Sequence, residues 1–301
     1  MNLDKDIRQR FIFEDSDIRG EILSLQDSYQ AALLNGNYPP PVAELLGEFM
    51  AGVCLLSATL KFDGVISLQA SGKGPLGMIM ADCTRHHNVR GVARYEQRRL
   101  VATQTNSWLN SSPQLSTMLG TNATLAVTID PANGKRYQGI IPLEGATLSE
   151  CLITYFDQSE QLPTKIRLHA DGHRAGGLLL QSLPPQRQAL AEREEYWRHL
   201  SHLSDTLTAA EQLQLPHTTQ LHRLFHEEPL RLFEPLDIQF ACSCSKTRTA
   251  NALLSLGLAE VTALLKEKSP IEMTCQFCHQ QYRFDENDAH LLFSQSISTL
   301  H

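Results

Sequence analysis

The chain has 301 residues, of which 42% are hydrophobic and 20% charged, which is typical of a globular protein with two structural units. Its net charge of −7 argues against a large phosphate-binding surface, so we expect no nucleic-acid partner. No apolar run approaches the roughly 18 residues of a membrane span, and the polar start resembles no export signal. These features predict a cytoplasmic protein with no membrane partner.

Two helices are expected near the start of the chain. Apolar residues recur at helical spacing and predict a first helix that Gly36 can end: Ile18, Ile22, Leu25, Tyr29 and Leu33. After three consecutive prolines at 39–41, a second apolar helix is expected to run to about Leu60.

Paired strands dominate the next part of the chain. We expect strands at 65–70 and 77–83 around a turn at 72–75, a hairpin joining 125–129 to 137–143, and a last pair at 166–169 and 178–181. Thr147 and Glu150 form a capping box that opens a helix ending before Pro163. Because hairpins and helices are segregated along the chain, the pattern indicates an α+β fold.

Residues 72–77 match the G-x-G-x-x-G pattern of dinucleotide-binding sites by letter. That site requires a helix to open at the last glycine, whereas a strand-like run follows here, and Pro75 suits a turn. We therefore interpret the segment as a hairpin loop.

The two prolines at 184–185 mark a boundary, and the stretch from 185 to 240 differs from what precedes it. It is rich in charged residues and histidines, with only a sparse apolar stripe, and Thr208 opens a second capping box. This composition predicts two or three marginally stable helices that need a surface to lie on.

The most informative feature is a pair of cysteine pairs, Cys242-x-Cys244 and Cys275-x-x-Cys278. Four thiolates at such spacing can surround one Zn²⁺ tetrahedrally, so we predict one zinc ion held by these four residues. Thiolates are also the groups that oxidants attack first, and the site is therefore either a structural staple or a redox switch. The remaining cysteines are expected in the core: Cys54, Cys83 and Cys151.

Other interpretations of these cysteines remain open. His279 or His290 can replace a thiolate, and residues 275–279 also satisfy the C-x-x-C-H pattern of covalent haem attachment. Haem would leave Cys242 and Cys244 without a role. A thiol oxidoreductase would use Cys275 and Cys278, and a constitutive zinc ribbon would bind RNA or a protein partner. The near-neutral tail does not favour the zinc ribbon.

Several stretches together resemble the heat-shock protein 33 family, the bacterial redox-regulated holdase chaperones. The likeness covers nearly the whole chain, and the cysteine spacing is its most specific element. The matching stretches are LLGE at 45–48, ATLKF at 58–62, VRG at 89–91, YFDQSEQLPT at 155–164 and AGGLLLQ at 175–181.

The resemblance implies an α+β core at 1–184, a metastable helical linker at 185–240 and a zinc-binding redox-switch domain at 241–301. It implies an ATP-independent chaperone rather than an enzyme, which holds unfolding client proteins under oxidative and heat stress. Such a protein is inactive when reduced and zinc-bound. Oxidation to Cys242–Cys244 and Cys275–Cys278 disulfides would release zinc and unfold the linker.

We also expect a homodimer in the oxidised form. Apolar side chains of the linker are the candidate client-binding residues, because charged neighbours would keep them soluble once the linker unfolds. They are Trp197, Leu200, Leu203, Leu207 and Phe225.

Overall fold

A computed structural model describes residues 3–34, 36–58, 63–103, 115–184 and 190–298. The chain forms two compact units, Met1–Ala241 and Cys242–His301. Residues 59–62, which belong to one stretch that resembles the family and to the expected end of the second helix, lie outside the described residues. Residues 185–189, the start of the predicted linker, lie outside them as well.

The strands of the described first unit are β1 Ile7–Phe13, β2 Ile18–Leu25, β3 Gly64–Ser71, β4 Leu76–Thr84, β5 Asn88–Tyr95, β6 Thr124–Pro131, β7 Tyr137–Pro142, β8 Thr164–Ala170, β9 Ala175–Ser182, β10 Leu230–Leu232, β11 Leu236–Asp237 and β12 Gln239–Phe240. Its helices are α1 Asp27–Leu34, α2 Pro40–Ser57, α3 Gln97–Thr103, α4 Leu115–Leu119, α5 Leu148–Tyr155, α6 Leu190–Asp205, α7 Ala209–Gln214 and α8 His217–Phe225. A π-helical turn, Phe156–Glu160, follows α5.

The described strands of this unit form an antiparallel sheet and a mixed sheet. The first has the order β10-β1-β2-β9-β8, with β11 also paired to β1, and the second has the order β12-β5-β4-β3-β6-β7. All pairs are antiparallel except the parallel pair of β12 with β5. Segregated helices on largely antiparallel sheets confirm the predicted α+β class.

Helix α2 lies at the centre of the first unit, against strands of both sheets. By length and mean hydropathy it is the one helix among the described residues that qualifies as a candidate membrane span, but 78% of that window is buried inside the unit. Its side chains join those of both sheets in one large apolar core, in which Leu46, Phe49 and Met50 are fully buried. Pro40 starts the helix, where the missing N–H costs no hydrogen bond.

The first helix prediction is wrong for its first half. Residues Ile18–Leu25 form β2, and only Asp27–Leu34 is helical. Residues four apart share one face of a strand as well as one face of a helix, so Ile18 and Ile22 fit both patterns. Both faces of β2 are buried, which removes the polar alternation that would have marked a strand.

The other local predictions hold. The three expected strand pairs are present, and Thr147 forms the reciprocal capping box with Glu150 at the start of α5. The second helix ends at Ser57, slightly earlier than expected. The 72–77 segment is a loop between β3 and β4. A side chain at Gly74 would lie only 2.3 Å from the carbonyl oxygen of Met118, so the glycine serves close backbone packing.

Residues 190–225 pack against one face of the first sheet. We call this face the covered face; its fully buried side chains are Phe11, Phe13, Ile18, Ile22, Leu178 and Leu180. Helices α6 to α8 lie on it, and the chain then adds β10 and β11 beside β1 and β12 beside β5. The sequence indicated helices here but not these three short strands.

The second unit contains α9 Lys246–Leu256, α10 Leu258–Glu267, β13 Ile271–Thr274, β14 Gln281–Phe284 and α11 Glu286–Ser298. Strands β13 and β14 form a two-stranded hairpin. Among the described residues of this unit, six buried side chains make up the apolar core: Ala250, Leu253, Val261, Leu265, Phe284 and Ala289. So small a core seldom stabilises a domain of this size by itself.

Candidate metal centre

Two turns of the second unit carry the four cysteines. Cys242 and Cys244 lie just before α9, where the guanidinium of Arg248 donates to the carbonyl oxygen of Ser243 (3.1 Å) and to its hydroxyl (2.6 Å). This contact holds the C-x-C turn against the first turn of the helix.

Cys275 and Cys278 lie in the turn between β13 and β14. The N–H of Cys275 donates to the carbonyl oxygen of Gln280 (2.9 Å), and the N–H of His279 donates to the carbonyl oxygen of Cys275 (2.9 Å). His279 has a positive φ of 54°, so the residue after the second cysteine reverses the chain into β14.

The four sulfur atoms, which we call the cysteine cluster, lie within 4.8 Å of one another. Cys242 Sγ lies 3.6 Å from Cys275 Sγ, and Cys244 Sγ lies 3.3 Å from Cys278 Sγ. A tetrahedron of thiolates at the Zn–S distance of about 2.3 Å has edges of about 3.8 Å, close to these separations. Disulfide-bonded sulfurs would lie about 2.05 Å apart, and none of these four cysteines is in a disulfide bond.

The electrostatics of the cysteine cluster favour a cation at its centre. Burial, together with hydrogen bonding to the neighbouring thiols, raises the pKa of Cys278 to about 12. Four thiolates packed this closely repel one another, so they become stable together only when a positive ion offsets their charge. Four soft thiolate donors in a tetrahedral arrangement fit zinc.

Tyr282 supports the cysteine cluster from β14, and sequence reasoning missed it. Its hydroxyl donates to Cys244 Sγ at 3.1 Å, and this hydrogen bond is the main cause that raises the tyrosine pKa to about 12. Such a partner orients the sulfur and draws off part of its negative charge. Nothing in the local pattern, a tyrosine four residues after a cysteine, marks this role.

The other cysteine-based interpretations fare differently. Among the described residues the potential metal ligands that group together are the four cysteines, without His279 or His290. Because Cys242 and Cys244 converge on Cys275 and Cys278, an interpretation that uses only the second pair leaves this convergence unexplained. Cys54, Cys83 and Cys151 are buried in the first unit, as predicted.

The five candidate client-binding residues lie together above the covered face. Leu200, Leu207 and Phe225 are buried, while Trp197 and Leu203 are partly buried at the edge of the same cluster. The ring of Phe225 meets that of Phe13 edge-on, with 5.2 Å between centroids. In this conformation the five side chains are therefore occupied by contacts within the first unit.

A family model described as Hsp33 protein matches residues 6–285. The chain belongs to the Hsp33 family. Curated relatives named 33 kDa chaperonin agree with this assignment. One from Ectopseudomonas mendocina is 48% identical over 291 residues, which is 96% of this chain and 95% of the relative. Another, from Pseudomonas aeruginosa, is 49% identical over 291 residues, which is again 96% of this chain and 95% of the relative.

The fold of the Hsp33 family also appears among solved structures. The crystal structure of a 33 kDa chaperonin from Thermotoga maritima aligns with a TM-score of 0.80 at 21% identity, covering 97% of this chain and 99% of that one. At this identity the likeness shows the fold alone. Family membership and the cysteine cluster together fit a chaperone, which is in general a non-enzymatic role.

Proposed function

We propose that this chain is a cytoplasmic, ATP-independent holdase chaperone that is inactive when reduced and activated by oxidation of the cysteine cluster. Zinc, when bound by these four thiolates, supplies a long-range tie between the start of the second unit and its β13–β14 turn. The observation that carries the proposal is the convergence of all four sulfurs in a chain of this family.

Oxidation is proposed to form the Cys242–Cys244 and Cys275–Cys278 disulfides that the family resemblance implies. Each disulfide forms from two thiols with loss of two protons and two electrons, which a peroxide accepts to give water. A sulfur in a disulfide no longer carries the charge that a zinc ligand requires, so the ion is expected to leave.

The free energies involved favour unfolding of the second unit once two disulfides have replaced the zinc site. A structural zinc site supplies about 10–16 kcal/mol of apparent folding free energy. Each new disulfide would close a loop of only three or four residues, which constrains the unfolded chain far less than a tie spanning residues 242 to 278. The small core of this unit offers little to offset the loss.

The linker, residues 185–240, is proposed to respond because it is continuous with the cysteine cluster. Ala241 donates its N–H to the carbonyl oxygen of Val89 (3.2 Å), and the next residue in the chain is Cys242. When the second unit unfolds, β12 loses its ordered continuation. Edge strands of two or three residues hold few hydrogen bonds, so the linker can then separate from the sheets.

Release of the linker would create two apolar surfaces for client proteins. The linker would expose its five candidate client-binding residues, and the first sheet would expose the covered face. Contiguous exposed apolar surface favours binding to unfolding proteins, and the acidic residues of the linker would keep the complex soluble. We also propose that the oxidised form is a homodimer and binds neither nucleic acid nor membranes.

The test measures suppression of aggregation of a thermally unfolding client without ATP, before and after peroxide treatment. We expect no suppression by the reduced protein, suppression after oxidation, and reversal by a dithiol. A Cys151→Ala variant, altered outside the cysteine cluster, should behave like the parent protein. Equal suppression in both redox states would contradict the redox switch, and no suppression in either state would instead favour a constitutive zinc-ribbon module that binds RNA or a protein partner.

A further inference from the structure

His217 opens α8 and is completely buried between the linker and the first sheet. Its Nδ1 lies 2.9 Å from Gln9 Oε1 on β1, and its Nε2 lies 2.9 Å from Ser24 Oγ on β2. One buried imidazole ring therefore joins a linker helix to two central strands of the first sheet.

The hydrogen bonds place one ring proton on Nδ1 and fit a neutral ring. Gln9 Nε2 donates to the carbonyl oxygen of Phe233 at 3.2 Å, so Gln9 Oε1 faces the imidazole and accepts. His217 Nδ1 must therefore carry the proton, and Nε2 accepts from the hydroxyl of Ser24. A second ring proton, on Nε2, would put a positive charge in a completely buried site, which costs desolvation.

The charged groups around His217 only partly offset the cost of protonating its buried ring. Asp4 Oδ2 accepts the backbone N–H of His217 (2.6 Å) and lies 3.9 Å from Nδ1. On the neighbouring elements, His169 of β8 contacts Gln212 of α7 (2.5 Å), and Arg174 donates to the carbonyl oxygen of Leu213 (3.2 Å). Burial lowers the pKa of His217 to about 4, although Asp4 opposes the shift.

We propose that His217 is an acid-sensitive latch, so that protonation of its ring releases α8 from the covered face without oxidation of the cysteine cluster. This inference rests on the proposed function, in which release of the linker activates the chaperone. Leu221, Leu224 and Phe225 lie on the same helix and pack on the covered face, so they would leave it together with His217.

The direction and size of the effect follow from proton linkage. A released histidine titrates near pH 6.5, so the released linker binds the proton more tightly than the docked linker. Docking is therefore most stable above about pH 6.5 and weakens as the pH falls towards 4. Between pH 7 and pH 5, linkage shifts the equilibrium towards release by about 20-fold.

The experiment uses the reduced, zinc-loaded full chain between pH 7.5 and pH 5. It measures amide-exchange protection factors for His217–Phe225, which already correct for the intrinsic pH dependence of exchange. Zinc release is followed in parallel with a chromogenic chelator, and aggregation of a client is followed at each pH. We expect protection in α8 to fall about 20-fold before zinc is lost, with a matching rise in client binding.

Three variants sharpen the test. His217→Asn keeps an amide N–H near the position of Nδ1 but does not titrate, so protection should become nearly independent of pH. Asp4→Asn keeps an oxygen for the backbone N–H but removes the charge that favours a protonated docked ring, so the pKa of docked His217 measured by NMR should fall below that of the parent protein, and release should still increase as the pH falls. His202→Asn changes an exposed histidine of α6 and should leave the profile unchanged.

Several results would overturn the latch: an unchanged profile in His217→Asn, a docked His217 ring that titrates near pH 6.5 by NMR, or zinc loss preceding release. If α8 of His217→Asn is released at every pH, the latch is tested instead by the NMR titration of His217 in the parent protein and in Asp4→Asn. A pKa of the docked ring that does not fall in Asp4→Asn would then contradict the latch. Loss of protection without client binding would support the latch and contradict the proposed client-binding surfaces.

Discussion

Weakening the contact between the linker and the covered face should activate the chaperone without oxidant. The perturbation is Trp197→Ala combined with Leu200→Ala, two residues three apart on α6. Leu200 is 0% exposed, and Trp197 packs partly buried beside it. Both side chains contribute to linker docking, and neither belongs to the second unit.

The magnitude follows mainly from Leu200. Truncating a fully buried leucine to alanine costs about 2–5 kcal/mol, and the partly buried tryptophan adds to that. A loss of about 3 kcal/mol multiplies the released population of the linker by about 150-fold, because each 1.4 kcal/mol is a factor of ten. Since the linker is proposed to be marginally stable, this shift should make release measurable in reducing buffer.

The assay compares the reduced double variant with Arg198→Ala, which removes an exposed side chain from the same helix. We expect the double variant to suppress client aggregation with zinc still bound and Arg198→Ala to stay inactive. The reasoning is refuted if the reduced double variant keeps its zinc, loses amide protection in α6 and still fails to suppress aggregation. If the linker only packs the fold, the double variant should aggregate.

Three further outcomes are expected. Elemental analysis should find one zinc ion per reduced chain and none after replacement of all four cysteines of the cluster by serine; zinc in that variant would exclude the proposed site. After peroxide with mild heat, hydrogen exchange should show protection kept in residues 1–184 and lost in 185–301, whereas uniform loss would indicate global unfolding. Tyr282→Phe removes the donor to Cys244 Sγ and leaves that sulfur more nucleophilic, so peroxide should release zinc faster than from the parent protein; an unchanged rate would contradict this role for the hydrogen bond.

The sequence was most informative where structure is determined by short-range chemistry. The cysteine spacing indicated the cluster because two short turns can each present two sulfurs to one point. The hairpins followed from turn residues between apolar runs, and the capping boxes at Thr147 and Thr208 follow from reciprocal contacts three residues apart.

The sequence was least informative where long-range pairing decides. Strand β2 is buried on both faces because the large core of the first unit covers one face and the linker helices cover the other, which local spacing does not reveal. Strands β10 to β12 exist because they pair with residues more than 140 positions earlier. The same holds for Tyr282 and His217, whose roles depend on partners brought close by the fold.

The two units differ in how far their stability depends on cysteine sulfurs. The large core around α2 uses no cysteine as a ligand, and its three thiols are buried away from solvent. The second unit combines a small apolar core with a four-sulfur cluster, so in the proposed mechanism oxidation of both cysteine pairs would remove its strongest constraint. Docking of the linker depends on apolar contacts, short edge strands and one buried neutral histidine. In the mechanism proposed here, different stresses would release the linker by different routes: oxidation through the sulfurs of the second unit, heat through the small apolar contacts and acid through the imidazole. A sensor of several stresses therefore requires that the linker be held by weak and chemically distinct interactions while the core beneath it stays folded.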